Sequence, residues 1–592
     1  MPVSSRPARP RHFRIEVPPA LRALVRGREW TLSVLGAACG GVAGVVVSAM
    51  GLAVNALHEL LFARPPGERL SAAAALDPLL AIGVPVLGGL VFGLSLVALA
   101  RWRPGREVDP IEANALHGGR MSLMGSVVVA LQTIWSSGVG ASVGLEAGYT
   151  QLASGIASSL GRMFRLRRRD LRILVGCGAA GAISGAFGAP LAGAFYAFEL
   201  IIGSYSVASL APVGIAALVG YVVASQFEPS TLGIGTLYVS HVIGRDLGVA
   251  AAVGLAAALI GITLMHAVAL CESTLERLRV PVYLRPLLGG VVVGGLAVIS
   301  PQVLSSGHGA IHISAIPNIG IQWLLTLLVL KAVASVISLG TGFRGGLFFS
   351  SLLLGALAGS VFANVLNALA PSLALAPNVY AIIGMGALSA SVIGSPLTMA
   401  FIALETTGDF WLTTAVLIAV IVSAVVTREL FGYSFATWRF HLRGETIRSA
   451  ADVGWIRDLT VRRMMRPDVR TVPARTTIGR FRMVFPLGST SQVVALDEDK
   501  NYAGIVIVAE AHASELDDGL PVREILHHRD TSLLPGMTIK EAVAAFDKAE
   551  AEALAVIGGP DNRQVVGLLS EAHALRRYSE ELELRRKELA GE

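Results

Sequence analysis

The sequence is short of charge. Of its 592 residues only 15% are Asp, Glu, Lys or Arg, against about a quarter in a typical soluble domain. Hydrophobic residues make up 53% of the chain and the mean hydropathy is +0.64. The length would accommodate roughly four soluble domains. So little charge excludes that layout, and with it an ordinary cytosolic enzyme and a disordered or nucleic-acid-binding chain. Cysteine is nearly absent too: three residues and no C-x-x-C leave no disulfide framework and no cysteine-based metal or redox site. Acidic residues are few in the first 30 positions, where seven arginines face two glutamates. No short apolar core of a cleavable signal peptide directly follows this arm. The net charge of +6 is therefore the arginine bias of cytoplasmic loops, which places the arm in the cytoplasm.

What is present is a series of runs free of Asp, Glu, Lys and Arg, each long enough to span a bilayer, which takes about 20 apolar residues. They cover 30–58, 78–100, 121–145, 173–198, 200–227, 247–271, 286–330, 345–404 and 410–427. They are rich in Gly and Ala, which predicts closely packed helices. Gly/Pro interruptions at 185–190 and 394–396 predict broken helices, tolerated at membrane depth only where they line a cavity or lie within protein. That pattern favours a transporter or channel. The arginine cluster at Arg162, Arg165, Arg167, Arg168 and Arg169 marks a loop. After about residue 440 the composition becomes that of a soluble α/β module.

Both parts repeat internally. Gly176-Cys177-Gly178-Ala179 leads to Gly188-Ala189-Pro190-Leu191 and Glu199; Gly384-Met385-Gly386-Ala387 leads to Gly394-Ser395-Pro396-Leu397 and Glu405. In each, the glutamate follows the proline by nine residues, and the proline suits the first position of a helix. Duplicated halves with a site near the repeat interface are a known transporter plan. In the tail, Val461-Arg462-Arg463-Met464-Met465 with Val472-Pro473 and Thr477-Ile478 parallels Val522-Arg523-Glu524-Ile525-Leu526 with Leu534-Pro535 and Thr538-Ile539. Strands are expected at 493–496, 504–507, 553–557 and 565–569.

An ionisable residue within a membrane domain costs about 2.5–3.5 kcal/mol on insertion scales and marks function by default. The candidates are Glu146, Glu199, Lys331, Arg344, Glu405 and Asp409. Glu146 lies among glycines at 138–148, where a helix is predicted to begin. A helix N-terminus is an anion site, and a carboxylate there can fill it until protonation releases it. A plain helix-capping glutamate is the alternative.

At these residues the chain resembles the CLC family of chloride channels and anion/proton antiporters. The family's G-[KR]-E-G-P motif corresponds to Gly144-Leu145-Glu146-Ala147-Gly148, followed by Gln151. Its G-x-F-x-P motif corresponds to Gly346-Leu347-Phe348-Phe349-Ser350, its A-P-L-A-G motif to 188–193 with Glu199, and its Tyr-Ser pair to Tyr433-Ser434. The tail is similar to a tandem pair of CBS domains. The resemblance implies an all-α polytopic membrane protein: an antiparallel, duplicated helical domain with broken helices, plus a cytoplasmic α/β CBS pair. The expected boundaries are a cytoplasmic arm at 1–30, the transport domain at 31–445, CBS domains at 455–515 and 516–580, and a short tail at 581–592. It further implies a homodimer in a lipid bilayer, both termini cytoplasmic, with one chloride or small-anion pathway per subunit. Glu146 would be the gate. The backbone N–H groups of Leu145, Ala147, Leu347 and Phe348 and the Tyr433 hydroxyl would coordinate the anion. No metal or resident cofactor is implied.

The chain departs from the family at two places. Transporting members usually carry a proton glutamate directly after the position of Glu199; here it is Leu200, which cannot carry a proton. The first anion motif, G-S-G-I-P, corresponds to Arg106-Glu107-Val108-Asp109-Pro110, so Glu107 replaces the coordinating serine and Asp109 adds a second carboxylate, which Pro110 makes a sound N-cap. Ala147-Gly148-Tyr149 in place of Gly-Pro-Thr is a smaller change. In the CBS pair, the turn that places an Asp on a ribose keeps Ser570 in the second copy, with His573 in the Asp position, and lacks both polar residues in the first. An adenosine nucleotide is thus less expected than a scaffold coupled to gating. A passive anion channel gated by Glu146 is the leading expectation, with an anion/proton antiporter as the alternative and a CBS-regulated cation transporter, suggested by Glu107 and Asp109, as the third. Arginine-rich, lysine-poor composition points to a bacterial inner membrane.

Overall fold

The computed structural model describes residues 18, 29–102, 107–227, 244–310, 320–373, 375–441, 459–559 and 562–590. Nearly all of the arginine-rich arm, and the stretch joining the membrane part to the tail, lie outside the described residues. The chain divides into two compact units, residues 1–452 and 453–592.

The first unit is helical. Its elements are α1 (Glu29–Phe62), α2 (Pro78–Trp102), α3 (Pro110–Leu116), α4 (Leu123–Gly138), α5 (Glu146–Met163), α6 (Arg168–Phe187), α7 (Pro190–Tyr196) and α8 (Val207–Ala224). They continue with α9 (Gly244–Arg277), α10 (Arg285–Ile299), α11 (Ile321–Gly340), α12 (Phe348–Leu369), α13 (Pro377–Ile393), α14 (Pro396–Thr407), α15 (Phe410–Leu430) and α16 (Phe435–His441). Eight helices among the described residues are long and apolar enough to cross a membrane. The arginine cluster spans the end of α5, its connection and the start of α6, as expected. The long charge-free stretches break where Pro and Gly interrupt them: 286–330 yields α10, two short helical turns at Pro301–Val303 and His308–Ala310, and α11.

The two breaks are built alike. α6 ends on Gly188 (φ 66°) and α13 on Gly394 (φ 84°), the left-handed conformation that glycine adopts without a Cβ penalty. Pro190 and Pro396 then start α7 and α14 at the position where a missing N–H costs nothing. Neither new helix has a side-chain cap from its own flank; each takes it from the other half. The Glu199 carboxylate accepts from the N–H groups of Leu397 and Thr398 (2.9 and 3.0 Å) and from the Thr398 hydroxyl (2.8 Å). Glu405 accepts from the N–H groups of Leu191 and Ala192 (2.8 and 2.9 Å). The two glutamates are thus a reciprocal pair of helix caps. Glu199 sits in a turn of wider, π-type helix, Ala197–Ile202, that follows α7.

The same reciprocity recurs nearer the centre. Gly144 N–H donates to the Gly346 carbonyl (2.9 Å) and Gly346 N–H to the Gly144 carbonyl (3.1 Å). Ser338 Oγ accepts from the Ser142 N–H (2.9 Å), and Ser136 Oγ from the Arg344 N–H (3.1 Å). Each bond becomes its counterpart when 136 is matched with 338, 142 with 344 and 144 with 346, so residues 136–146 and 338–348 are the two copies of one segment. Small residues permit the contact: a Cβ on either Gly355 (α12) or Gly384 (α13) would lie 2.4 Å from the other's carbonyl oxygen.

The tail is a second duplication. In the first copy β1 (Thr471–Pro473) runs parallel to β2 (Gln492–Leu496), which pairs antiparallel with β3 (Tyr502–Ile507). In the second, Leu533 makes a parallel bridge to Val556 in β4 (Ala553–Ile557), and β4 pairs antiparallel with β5 (Val565–Ser570). A helix precedes each hairpin, Ile478–Val484 and Ile539–Ala549; the second opens on a capping box of Thr538 and Glu541. The copies exchange their leading segments: Val461 packs in the core of Phe546 and Val556, and Val522 in that of Phe481 and Val493. This strand–helix–hairpin duplication is the one expected of a CBS pair.

Candidate functional site

Glu146 is the first residue of α5 and is 4% exposed. The antiparallel Gly144–Gly346 bridge sets the beginnings of α5 and α12 against each other, and the carboxylate crosses between them: its Oε1 accepts from the Phe349 N–H at 3.0 Å, in the first turn of α12. Glycine is required on its near side. A Cβ on Gly144 would fall 1.9 Å from Oε2, and one on Gly346 at 3.1 Å. Oε2 itself is buried and has no hydrogen-bond partner among the described residues. The carboxylate therefore occupies a helix N-terminus, with one oxygen satisfied and the other not.

Two cavities meet at this side chain. One, of about 140 Å³, is lined by Leu145, Glu146 and Tyr149 with Ser137, Ser306 and His308. The other, of about 220 Å³, is lined by Glu146, Ala147, Leu347 and Phe348 with Glu107, Asp109, Tyr196, Leu200 and Arg344. Only Glu146 borders both of them among the titratable residues of the two linings.

Aromatic rings hold the partition. Phe348 packs on Phe187 (centroids 4.6 Å) and Tyr196 (6.0 Å); Phe349 lies against Phe187 (5.8 Å) and under His308 (3.3 Å). On the His308 side, Lys331, fully buried in α11, donates to the carbonyls of Val303 (3.1 Å) and Ser305 (2.7 Å) and interacts electrostatically with Glu146. On the other side Asp109 caps α3, accepting from the Glu112 N–H at 2.9 Å. Gln151 donates to the Val108 carbonyl (2.8 Å), which ties α5 to the Glu107–Asp109 stretch.

The structure brings Glu146, Leu145, Ala147, Leu347, Phe348, Glu107, Asp109 and Leu200 to this place. It does not bring Tyr433, whose ring lies 5.8 Å from Trp438 and which lines neither cavity. Glu199 and Glu405 also line neither; they are the reciprocal caps. Three residues were not foreseen: Phe349, which supplies the N–H to Glu146, and Tyr196 and His308, which line the cavities. Phe349 lies one residue beyond the expected pair, within the uncertainty of a helix start. Tyr196 was legible only as the lone tyrosine of the 173–198 run. Ser570 ends β5, and His573 follows in the helix Glu571–Ala590. Elsewhere in the tail, burial and the neighbouring His527 lower the pKa of His528 from 6.5.

A duplicated multi-pass membrane domain whose two halves meet at one buried carboxylate, between two cavities, defines a protein of transmembrane anion transport. A family model described as "Voltage gated chloride channel" matches residues 88–428, and the chain belongs to that family. It is 32% identical over 399 residues to a ClcB-like protein of Ralstonia nicotianae, covering 65% of this chain and 92% of the relative. It is 27% identical over 395 residues to the voltage-gated ClC-type chloride channel ClcB of Salmonella typhimurium, covering 66% and 94%. Among solved structures, a slow cyanobacterial Cl−/H+ antiporter matches with TM-score 0.62 and 20% identity over 70% of this chain and 97% of its own. A eukaryotic CLC transporter matches with TM-score 0.60 and 19% identity over 93% and 98%. At these identities the structures establish the fold.

Proposed function

We propose that the chain is a passive pathway for chloride and other small anions, gated by Glu146. The observation that carries this reading is the position of that carboxylate, on the Phe349 N–H and between two cavities. Ionised, it occupies the helix terminus an anion would use. Protonated, it loses the charge that holds it there, and an anion can take its place among the N–H groups of Leu145, Ala147, Leu347, Phe348 and Phe349. Of the two tyrosines, Tyr196 lines the Glu107-side cavity. Partial charges suit throughput, since a full charge would retain a dehydrated anion. A hydrogen bond to a charged group contributes about 1.5–3 kcal/mol, so removing the charge shifts the gate by roughly 10- to 150-fold.

Leu200 supports passive flow, because it lines the Glu107-side cavity where the family's transporting members carry a proton glutamate. Proton-coupled exchange is the second reading, favoured by Glu107 and Asp109 sharing that cavity with Glu146. The working form in this proposal is a homodimer in a bacterial inner membrane with both termini cytoplasmic. The CBS pair is a gating-coupled scaffold, and an adenosine nucleotide, if bound, would lie at Ser570.

The test is flux in liposomes under imposed chloride and pH gradients. Chloride should move without uphill proton movement, faster at low pH, and Glu146→Gln should be fast at every pH. Protons driven uphill by chloride would sink the passive reading; a Glu146→Gln variant that keeps the wild-type pH dependence would sink the gate.

A further inference from the structure

We infer that Tyr149 receives the open gate: its hydroxyl is the partner that the Glu146 carboxyl group takes on leaving the Phe349 N–H. This rests on the gating reading above and adds the residue that holds the displaced side chain. Tyr149 follows Glu146 by one turn of α5, and residues three apart share a helix face with Cβ atoms about 5–6 Å apart. Both line the cavity of about 140 Å³ on the His308 side. Tyr149 is only 5% exposed and interacts electrostatically with Glu146 and Tyr196, yet its hydroxyl makes no hydrogen bond with a described residue. Buried polar groups ordinarily find a partner, and one that does not calls for a reason. One turn away, Oε2 of Glu146 is a buried acceptor without a donor. An unmatched donor and an unmatched acceptor thus stand on one face of one helix.

Charge sets the direction of the swing. The cavity on the His308 side carries His58 of α1, Arg69 before the turn Leu70–Ala72, and His308, and Glu146 is the only acid in its lining. Lys331 of α11 acts on Glu146 electrostatically from the same side. The opposite cavity carries Glu107 and Asp109, with Tyr196 and Arg344 as its other titratable groups. A carboxyl group swinging that way meets two acids; on the His308 side it meets none. The space suffices, since a single water needs only about 10–15 Å³. Seated and ionised, Glu146 has a charge-assisted bond to the Phe349 N–H that a neutral hydroxyl does not outbid. Protonated, it exchanges one neutral hydrogen bond for another, and Tyr149 offsets the loss of the seat. Tyr149 is therefore a positioning residue: it sets how often the protonated gate stands open and acts on the anion only through Glu146.

The experiment is chloride efflux from liposomes holding the full chain, measured across a pH series for Tyr149→Phe, which keeps the packed ring and removes only the hydroxyl. On the limb above the midpoint of the pH profile, efflux should fall roughly two- to tenfold, the range of one neutral hydrogen bond. In the Glu146→Ala background, which has no carboxyl group to receive, the same substitution should change nothing. Unchanged efflux in Tyr149→Phe alone overturns the inference. So does an equal fall in the Glu146→Ala background, which would make the hydroxyl a partner of the anion or of the fold. A rise in efflux overturns it as well, because Tyr149 would then hold the gate shut. Absence of chloride efflux from both the native and the Glu146→Ala proteins at every pH would instead overturn the gating reading, and this inference with it. Gel filtration checks that each variant is folded, and Tyr149→Leu gives the same readings if the phenylalanine variant is not recovered.

Discussion

The two copies of the duplicated segment share a set of reciprocal bonds and differ at the site. Ser136 and Ser338 each accept an N–H from the other copy, Gly144 and Gly346 bridge each other, and Glu199 and Glu405 cap each other's broken helix. Yet Glu146 stands in one copy where Phe348 stands in the other. The carboxylate reaches across to the Phe349 N–H, whereas the ring of Phe348 packs on Phe187 and Tyr196. Reciprocal bonds hold the halves together and work identically from either side. A gate has to differ from one side to the other. In the proposed reading, function sits where the duplication fails.

The largest effect expected from that comparison is the one described for Glu146→Gln, a roughly 10- to 150-fold gain in chloride flux with loss of pH dependence. Next come the reciprocal caps. Glu199→Ala and Glu405→Ala each orphan two helix N–H groups, so each should lower stability by about 1–3 kcal/mol, with thermal unfolding in detergent as the measure. Glu199, which also accepts from Thr398 Oγ1, should cost more, and neither should change the pH dependence of flux. If either did, the division between framework and gate would be wrong.

Gly144→Ala against Gly346→Ala sharpens the comparison further. The first puts a Cβ 1.9 Å from the Glu146 carboxylate, the second only 3.1 Å. Flux should therefore rise severalfold in Gly144→Ala and little in Gly346→Ala, although the positions are equivalent by symmetry. Equal effects would show that the bridge, not the carboxylate, is what the substitution disturbs. The smallest effect belongs to the tail. His528 has a lowered folded pKa, so the unfolded tail binds more protons in the window just below pH 6.5, and stability falls as pH falls through it. His528→Gln should flatten this modest loss, read from urea unfolding of the full chain followed by tail-specific proteolysis.

Much of this was legible in the residues. Missing charge marked the membrane part, and the few exceptions marked Glu146, Glu199 and Glu405, because a carboxylate in such a run needs a reason. The Pro–Glu spacing of nine predicted a duplication, and helix starts at Pro190, Pro396 and Glu146 follow from proline's missing N–H and from the glycines before the carboxylate. The partners were not legible. Glu199 and Glu405 could be read as pathway or structural residues until each was found on the other half's helix. The Tyr433 assignment relied on a motif, and folding turned that residue toward Trp438 while bringing Tyr196 to the cavity.

The sequence by itself determined that this is a duplicated membrane protein with broken helices, a charged α/β tail and one suspicious glutamate. Composition, helix-stop residues and repeats are local properties, written in residue type and spacing. Only the tertiary structure decided that Glu199 and Glu405 cap each other's helices, that Glu146 divides two cavities, and that the Glu107 carboxylate lies over Gly125. Those facts depend on groups from distant positions meeting across a pseudo-twofold, and no local pattern encodes which N–H a buried carboxylate will find.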